Sequence, residues 1–452
     1  MGHSLAMRTA AHSQEAGQAY VMNGGRPVEG RVTALGAKNL ATKAMVGALL
    51  SEDPAILTNI PAIGDIAMTR RMFDSIGVVT DLQGDRLTFD PSQLSSAKIA
   101  IPDSRANRIP ILLLGVLLHR LGEAHVPLVS GCNIGPRPLD FHLEAVRLFG
   151  ASVETTDDGY SAYTSGKLTA THYELPYPSV GATETCLFLA CLAEGTSVIR
   201  NVATEPEILA LITMLNAMGA QIELDANRML TIEGVDQLSG AHYAILGDRI
   251  EAASWACLAA ATNGDITVAG IQPTSLVNFF GPFNAVGGGI EVLGESSVRF
   301  FRRKPLQRTM LETDVYPGFA TDWQQPFGIM LTQADGTSVV HETVYERRFG
   351  YLDDLRRLGA KVQLEKKCLG SRPCRFFERG HAHSALITGP TRLVSDNLRL
   401  DVPDLRAGLA YVVAGALAEG RTILLNADLI ERGYGNLPER VADLSLDLTE
   451  AT

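Results

Sequence analysis

The pattern of apolar and polar positions predicts the same pair of elements repeatedly along the chain. A helix-like apolar segment ends in a short turn that contains Gly or Asp, and an apolar run that suits a strand follows it. Gly and Asp adopt turn conformations that end a helix, and β-branched side chains favour strands. This helix–turn–strand pattern occurs six times, at residues 46–61, 113–131, 189–202, 257–270, 329–344 and 412–427.

A second pattern lies between these segments, a helix that closes on glycine and is followed by alternating apolar positions. Five copies are spaced by 73, 69, 69 and 71 residues, and a sixth, weaker copy ends at residues 444–448; the glycines are Gly77, Gly150, Gly219, Gly288 and Gly359. Such regular recurrence is typical of a chain built from repeats. We therefore predict an α/β protein of six units, each with two helix-then-strand elements, arranged as two groups of three.

Composition narrows the class of protein further. The 452 residues are 46% hydrophobic and 20% charged, as in an ordinary globular protein of two or three domains. The net charge of −11 argues against a nucleic-acid partner, which would require a basic surface. It leaves a small anionic substrate possible, because a local group of arginines can act within an acidic protein.

Two further features bear on location. The longest apolar run, between Arg108 and His119, is about half of the ~20 residues that a membrane-spanning helix needs. The first 20 residues contain no apolar stretch typical of a signal peptide, and six cysteines are ordinary for a reducing compartment. We expect a cytoplasmic protein with no membrane partner and a flexible tail at residues 1–19.

The most unusual segment is SGCNIGPRPLDFH at residues 130–142, where Cys132 lies close to two glycines and precedes Arg137. Loops rich in Gly and Pro often display catalytic groups. A nearby fixed positive charge lowers the pKa of a thiol from about 8.5 towards neutrality, so Cys132 could act as an acid, base or nucleophile. A lone cysteine is also commonly a small buried hydrophobe, and the local sequence leaves both interpretations open.

Two predicted helix starts carry further candidates. The segment Gly36-Ala37-Lys38-Asn39 precedes a helix expected from about Leu40, and a lysine beside helix-end N–H groups favours phosphate. A merely exposed lysine would fit the same pattern. In Thr321-Asp322-Trp323, Asp322 is either a general base or a helix cap.

Arginines in three short segments are candidates for binding carboxylate or phosphate, because the guanidinium group donates paired hydrogen bonds. The segments are YERRFGY (345–351), PDLRAG (403–408) with Arg406, and ERGYG (431–435) with Arg432. Each arginine could equally be a surface residue or part of a structural ion pair.

Cysteine and histidine also lie close together near the C-terminal end of the fifth unit. Cys368, Cys374, His381 and His383 suit zinc by residue type. Their spacings, C-x5-C and H-x-H, match none of the common zinc patterns, so we expect no metal site.

Ordered segments from about residue 21 to about residue 446 resemble those of the enolpyruvyl transferase family. The matching segments are GAKN (36–39), GCNIGPRPLDFH (131–142), PSVGATE (178–184), EPE (205–207), DRIEAA (248–253), TDWQQPF (321–327), ETVYERRF (342–349), DLRAG (404–408) and ERGY (431–434). The resemblance implies an inside-out α/β barrel with two domains, each of three βαβαββ units, in agreement with the six repeats. We accordingly expect residues 20–37 and 247–452 to form one discontinuous domain and residues 38–246 the other, which carries the Cys132 loop.

The resemblance also implies an activity, and the members that match best in these segments act on UDP-N-acetylglucosamine. They transfer the enolpyruvyl group of phosphoenolpyruvate to its 3-hydroxyl and release phosphate, in the first committed step of peptidoglycan precursor synthesis. No metal or organic cofactor is implied. The implied partners are the two small-molecule substrates, phosphoenolpyruvate and a uridine nucleotide.

Roles for individual residues follow from the same resemblance. Cys132 matches the general acid that protonates phosphoenolpyruvate, forms a covalent adduct and is the target of fosfomycin, and Asp322 matches the base that takes the hydroxyl proton. Lys38 is implied in catalysis, and the cations around phosphoenolpyruvate are implied to be Lys38, Arg108, Arg137, Arg406 and Arg432. The implied contacts to the uridine nucleotide and its sugar are Asn39, Arg137, Pro138, Leu139, Asp140, Ser179, Val180, Gly181, Asp322 and Val344.

Some positions depart from well-known members of the family, mainly on the acceptor side, among them Gly64, Tyr177 and Glu431. Two alternatives therefore stay open: transfer of the enolpyruvyl group to UMP, as in the biosynthesis of peptidyl-nucleoside antibiotics, and a catalytically silent paralogue that binds a sugar nucleotide. Retention of both Cys132 and Asp322 argues against the silent paralogue. The shikimate-3-phosphate branch of the family lacks the cysteine loop seen here.

Overall fold

The computed structural model describes residues 18–100, 107–129, 139–371, 374–405 and 407–451. Its helices are α1 Lys38–Ala48, α2 Gly64–Ser75, α3 Ile109–Leu121, α4 Asp140–Leu148, α5 Val180–Ala190, α6 Pro206–Ala217, α7 Arg249–Thr262, α8 Val277–Ala285, α9 Gln324–Leu331, α10 Tyr351–Arg357, α11 Gly408–Leu417, α12 Ala427–Tyr434 and α13 Leu437–Arg440. Short 3₁₀ helices occur at Pro91–Gln93, Pro273–Leu276 and Thr321–Trp323.

The strands of the first three units and the N-terminal pair are β1 Tyr20–Gly24, β2 Glu29–Thr33, β3 Ala55–Thr58, β4 Thr80–Gln83, β5 Arg86–Phe89, β6 Glu123–Pro127, β7 Ser152–Thr155, β8 Gly159–Tyr163, β9 His172–Glu174, β10 Thr196–Arg200, β11 Gln221–Leu224, β12 Leu230–Glu233 and β13 His242–Ala244. The remaining strands are β14 Asp265–Ala269, β15 Gly288–Val292, β16 Ser297–Arg302, β17 Met310–Glu312, β18 Gly336–His341, β19 Lys361–Glu365, β20 Ser384–Gly389, β21 Val394–Asp401, β22 Glu419–Leu425 and β23 Asp447–Glu450.

Across the described ranges these strands form six small sheets with one shared plan. The sheet orders are β13-β3-β5-β4, β6-β8-β7, β11-β12-β10-β9, β15-β16-β14-β2, β17-β18-β20-β19 and β21-β22-β1-β23. In each four-stranded sheet one pair is parallel and the other pairs are antiparallel. In the three-stranded sheet a single parallel bridge, between Lys98 and His125, lies where the others have a fourth strand. The shared plan confirms the prediction of six related units.

The predicted helix–strand pairs agree with the observed ones. All six helix–turn–strand segments are present, as α1–β3, α3–β6, α5–β10, α7–β14, α9–β18 and α11–β22. The glycines that end the second helix of a unit adopt positive φ at Gly77, Gly150, Gly219 and Gly359, which costs glycine little. The fourth one was predicted wrongly by one position, because Gly287 has φ 114° and Gly288 already begins β15.

Two groups of three central helices bury almost all of their side chains. The apolar residues around α1, α3 and α5 form one core cluster, from Ala37 to Ile245, and those around α7, α9 and α11 form another, from Tyr20 to Ala34 and from Ile250 to Leu448. A helix that is apolar on every side is buried in a core, and the apolar run after Arg108 forms such a helix, α3. With strands that bury alternate residues packed outside these helices, the fold is the inside-out α/β barrel that was predicted.

The chain passes between the two groups at two neighbouring points. Ala37 N–H donates to the Leu246 carbonyl at 2.7 Å, and Asp248 N–H donates to the Leu35 carbonyl at 2.8 Å. A Cβ at Gly36 would lie 1.8 Å from the carbonyl oxygen of Asn59, so this crossing requires glycine. Lys38 and the start of α7 therefore lie directly beside the crossing.

Among the described residues, none of the helices combines the length and the apolar character that crossing a bilayer requires.

Candidate active site

Two of the predicted substrate-binding cations meet at one buried carboxylate. Lys38 Nζ lies 2.7 Å from one oxygen of Asp65, and Arg432 Nε lies 2.8 Å from the other. Lys38 is the first residue of α1, Asp65 lies in the first turn of α2 and Arg432 is in α12. The contact therefore joins a residue of the C-terminal part of the chain to two residues that follow the crossing.

The electrostatics of this cluster keep its carboxylate charged. Burial raises the pKa of the Asp65 carboxyl, but Lys38 and Arg432 more than offset that effect and hold its pKa below the usual range. Asp65 is therefore ionised at neutral pH and holds a lysine and an arginine side by side. Lysine and arginine side chains in fixed positions are suited to binding a phosphate or carboxylate.

A cavity of about 380 Å³ opens beside Arg432, and Gly64, Arg71, Asp428 and Glu431 are among the other residues that line it. A Cβ at Gly64 would lie 2.9 Å from Cγ of Arg432, closer than real Cβ contacts. Gly64 is one of the positions noted above as departures from well-known family members. The lack of a side chain there leaves room for the Arg432 side chain.

Asp322 lies in the short helix Thr321–Trp323, directly before α9. Its carboxylate accepts a hydrogen bond of 2.8 Å from Arg348, whose side chain is fully buried, while the Asp322 side chain is 18% exposed. Burial opposes the charge of Arg348, yet Asp322, Glu342 and Asp404 hold its pKa above the usual value. Arg348 therefore orients the Asp322 carboxylate.

The segment that carries Arg348 is fixed by a second buried carboxylate, Glu342. Glu342 accepts hydrogen bonds from the backbone N–H groups of Val344 at 2.8 Å and Tyr345 at 3.0 Å, and from the Thr321 hydroxyl at 2.9 Å. Burial raises the pKa of Glu342, while Arg348 and these donors act against that rise. Glu342 therefore links the strand end at β18 to the segment that holds Asp322.

The predicted nucleotide contacts of α4 and α5 lie at the first residues of neighbouring helices. Leu139 is buried directly before α4, and Asp140 is exposed at its first position. A Cβ at Gly181 would lie 3.0 Å from the imidazole of His142, so α4 and α5 are in close contact at this end. The partly exposed residues at the start of α5 are Ser179, Val180 and Gly181.

The backbone of Val344, another predicted nucleotide contact, is bound by a side chain of the β19–β20 connection. Arg375 donates to the Val344 carbonyl, and its guanidinium carbon lies 4.7 Å from the ring centre of Tyr177. Tyr177 directly precedes the segment PSVGATE, so Arg375 connects the two regions in which acceptor contacts were predicted.

A buried ion pair ties the two core clusters together near Asp322. Arg249, at the start of α7, donates hydrogen bonds of 2.9 and 3.1 Å to the two oxygens of Glu207 in α6, and both side chains are 5% exposed. The Trp323 indole N–H donates to the Arg249 carbonyl at 3.2 Å, and the guanidinium carbon lies 5.1 Å from the Trp323 ring centre. The segments EPE and DRIEAA thus meet at this pair.

Four predicted site residues lie outside the described part of the chain: Cys132, Arg137, Pro138 and Arg406. Arg108 and Asn39 are described, and both are partly exposed. Arg108 lies directly before α3, and Asn39 is the second residue of α1, beside Lys38. Helix α1 thus begins two residues before the expected start at Leu40.

Asp65, Glu342 and the pairing of Arg348 with Asp322 were not predicted from the sequence. Asp65 is one of two acidic residues in α2, and nothing in its local sequence marks it. Arg348 was noted only as one arginine within the segment 345–351. All three features depend on contacts between different elements of the fold, which spacing along the chain does not reveal.

Comparisons with known proteins agree with the fold. The model of the family described as EPSP synthase (3-phosphoshikimate 1-carboxyvinyltransferase) matches residues 22–441. UDP-N-acetylglucosamine 1-carboxyvinyltransferase from Protochlamydia amoebophila is 42% identical over 438 residues, which cover 95% of this chain and 93% of that protein. The protein of the same name from Chlamydia pneumoniae is 43% identical, with 92% of both chains covered.

Solved structures show the same architecture at lower sequence identity. The enolpyruvyl transferase NikO from Streptomyces tendae superposes with a TM-score of 0.83 at 22% identity, covering 96% of this chain and 99% of that one. EPSP synthase from Acinetobacter baumannii gives a TM-score of 0.70 at 17% identity, covering 96% and 100%. At these identities the likeness shows the fold alone.

Proposed function

The chain belongs to the EPSP synthase family of enolpyruvyl transferases, and on that premise we propose that it transfers the enolpyruvyl group of phosphoenolpyruvate to UDP-N-acetylglucosamine. The acceptor atom is the sugar 3-hydroxyl oxygen, and the second product is phosphate. Relatives above 40% identity that carry this activity in their name are the observation that carries the proposal. The reaction opens the synthesis of peptidoglycan precursors.

Phosphoenolpyruvate is a trianion when fully ionised, and a partly buried cleft accepts it only beside fixed cations. The Lys38–Asp65–Arg432 cluster supports this role, because its two cations share one carboxylate at 2.7 and 2.8 Å. Arg108, Arg137 and Arg406 complete the proposed cationic shell.

The proposed chemistry begins with transfer of the Cys132 thiol proton to the methylene carbon of phosphoenolpyruvate. This leaves an electron-poor C2, which the sugar 3-oxygen attacks while Asp322 takes the hydroxyl proton. The tetrahedral intermediate then returns a methyl proton to the Cys132 thiolate as the C2–O bond to phosphate breaks. The products are the enolpyruvyl ether and inorganic phosphate; Cys132 is regenerated as a thiol, and Asp322 is regenerated as a carboxylate when it releases the hydroxyl proton to the departing phosphate or to solvent.

The hydrogen bond from Arg348 supports Asp322 as the base. It orients one carboxylate oxygen from a fully buried position and leaves the partly exposed carboxylate able to meet the acceptor hydroxyl. Holding reacting groups in fixed geometry lowers the entropic part of the barrier.

The acceptor lies, in this proposal, between the α4–α5 helix starts and Val344. Its uridine and diphosphate contact Arg137, Pro138, Leu139, Asp140, Ser179, Val180 and Gly181, and its sugar contacts Asn39, Asp322 and Val344. The packing of His142 against Gly181 supports this grouping, because it brings the two helix starts together.

Three further statements belong to the same proposal. The unit formed by residues 20–37 and 247–452 and the unit formed by residues 38–246 act as two domains around the cleft, as the separate core clusters support. Fosfomycin alkylates Cys132. The enzyme works in the cytoplasm, in line with free cysteines at the described positions of the chain.

The test is to incubate the purified protein with phosphoenolpyruvate and UDP-N-acetylglucosamine and to identify the enolpyruvyl ether by mass spectrometry. D322N is expected to lower kcat by about 10²–10⁴-fold, the usual contribution of a general base, with little change in KM. The control D335N alters an exposed carboxylate directly before β18, where the Asp335 backbone forms an isolated bridge with Gln307, and is expected to leave both constants unchanged. Absence of the ether, or equal kcat values for D322N and D335N, would contradict the proposal.

A further inference from the structure

Four side chains that can bind a metal come together at the C-terminal end of β18, although they belong to different segments of the chain. His341 is the last residue of β18, Cys368 and Cys374 lie in the β19–β20 connection, and His383 directly precedes β20. Each offers one ligand atom, and these four atoms all lie within 4.8 Å of one another. Both histidines are buried and both cysteines are half-buried.

The spacing of these atoms fits a tetrahedral metal ion. Cys368 Sγ lies 3.6 Å from Cys374 Sγ and 3.2 Å from Nε2 of His383. Bond lengths of about 2.3 Å for Zn–S and about 2.0–2.1 Å for Zn–N put tetrahedral neighbours about 3.8 Å (S···S) and about 3.6 Å (S···N) apart. A disulfide would require about 2.05 Å between the sulfurs, so the two cysteines are thiols here.

The outer nitrogens of both imidazoles face groups that orient metal-binding histidines. Nδ1 of His383 lies 3.0 Å from the His381 carbonyl, which leaves Nε2 directed at the cysteines. Nδ1 of His341 lies 3.5 Å from Glu312, a carboxylate that also accepts hydrogen bonds of 3.0 and 2.9 Å from Ser371. A carboxylate or carbonyl behind a ligating histidine is the usual supporting contact at zinc sites.

Burial of the His341 imidazole would be unfavourable without a bound metal ion. The His341 side chain is fully buried, Nδ1 has only the 3.5 Å contact with Glu312, and Nε2 has no hydrogen-bond partner among the described residues. Burying an unsatisfied polar group is unfavourable, and a metal bond to Nε2 would remove that cost.

We propose that the protein binds one Zn²⁺ through His341, Cys368, Cys374 and His383. Two thiolates and two imidazoles in tetrahedral positions select zinc over the hard cations, and four protein ligands make a closed, structural site. On binding, the two thiol protons leave to solvent. The spacing that matched no common zinc pattern was counted with His381 as one of the four residues. The fourth ligand in this proposal is His341 instead, and a whole helix and a strand separate it from Cys368.

The ion would fix the segment that supports the acceptor side of the cleft. Arg375 directly follows Cys374 and contacts both the Val344 carbonyl and the ring of Tyr177. His341 directly precedes Glu342, which holds the backbone of Val344. Zinc therefore clamps the β19–β20 connection to the end of β18, with Arg375 in position.

The test measures metal in the whole protein, expressed without a histidine tag and purified without chelators. Elemental analysis is expected to find one zinc per chain, and X-ray absorption at the zinc edge is expected to show two sulfur and two nitrogen neighbours. Cobalt exchanged into the wild-type protein is expected to give the ligand-field bands of tetrahedral thiolate coordination. C368S and H341A are expected to lose more than nine-tenths of the zinc, whereas the matched control H381A keeps it.

Hydrogen exchange measures how zinc affects the local stability of the fold. Removal of zinc is expected to increase exchange in the β19–β20 connection and not in α1 or α7. Wild-type protein without zinc that also fails to take up zinc or cobalt would overturn the proposal, as would an intact Cys368–Cys374 disulfide in the reduced preparation. Loss of zinc from H381A with retention in H341A would also overturn it.

Discussion

Replacement of Asp65 by asparagine tests whether this carboxylate holds the two cations of the proposed phosphoenolpyruvate site. Asp65 accepts from Lys38 at 2.7 Å and from Arg432 at 2.8 Å, and its side chain is 9% exposed. The amide has the same shape but carries no charge. D65N therefore removes the negative charge that lies between these two cations in a partly buried site.

The magnitude follows from the burial of the partners. Removing one member of a fully buried pair costs about 3–5 kcal/mol. Because Lys38 and Arg432 keep 14% and 18% of their side-chain exposure, water recovers part of that cost, and we expect about 2–3 kcal/mol. This corresponds to a decrease in Tm of about 5–10 °C for a cooperative unit of this size.

The same substitution has a defined pH dependence. The folded state holds the pKa of Asp65 below its unfolded value of about 3.9, so the unfolded state binds the proton more readily. The stabilisation by Asp65 is therefore complete above that pH and is lost as the pH falls through the folded-state pKa. The difference in Tm between wild type and D65N is expected to be constant from pH 7 to about 5 and to shrink below about 4.

The assay is thermal unfolding of wild type, D65N and a matched control, D236N, with the KM for phosphoenolpyruvate measured alongside. Asp236 pairs with Lys167 at the surface, where the side chains are 93% and 62% exposed, so D236N is expected to change Tm very little. D65N is expected to raise this KM at least tenfold, because Lys38 and Arg432 lose their orientation. A Tm equal to that of D236N, or an unchanged KM, would refute the reasoning.

Three further substitutions test other contacts of the site. G64V puts a side chain where Arg432 Cγ would lie 2.9 Å from the added Cβ, so we expect a higher KM for phosphoenolpyruvate with little loss of Tm; an unchanged KM would contradict this. R249M leaves the buried Glu207 carboxylate unpaired, and urea unfolding should show a loss of about 3–5 kcal/mol, whereas a loss below about 1 kcal/mol would count against the pair as a tie between cores. R348M removes the 2.8 Å contact that orients the proposed base, so steady-state kinetics should show kcat reduced more than tenfold with a small change in acceptor KM; a change in KM alone would assign it to binding.

The repeat made most of the fold predictable, because each unit repeats the same local signals. A helix that ends at a small residue and a β-branched strand that follows it can be recognised from a few neighbouring positions. The error at Gly288 shows the limit of this method, since two adjacent glycines offer the same freedom and only the chain path makes Gly287 adopt positive φ.

The site was less predictable, because its contacts join different elements of the chain, from 26 positions apart for Asp322 and Arg348 to 367 for Asp65 and Arg432. Lys38 and Arg432 could be named by resemblance, but their shared carboxylate Asp65 could not, since it lies in an unremarkable helix. The cysteine–histidine cluster could not be assembled from the sequence for a similar reason. His341, the fourth ligand of the proposed zinc site, lies outside the short segment in which a zinc spacing is sought.

The measurement that tests the central claim most directly is phosphate release from phosphoenolpyruvate, with UDP-N-acetylglucosamine and UMP offered separately as acceptors. The proposal predicts stoichiometric phosphate release and enolpyruvyl ether with UDP-N-acetylglucosamine, and background release with UMP. Release with UMP alone would contradict the proposed acceptor and transfer the function to nucleoside chemistry. No release with either acceptor, combined with a rise in Tm on nucleotide binding, would contradict catalysis itself and identify a sugar-nucleotide binder.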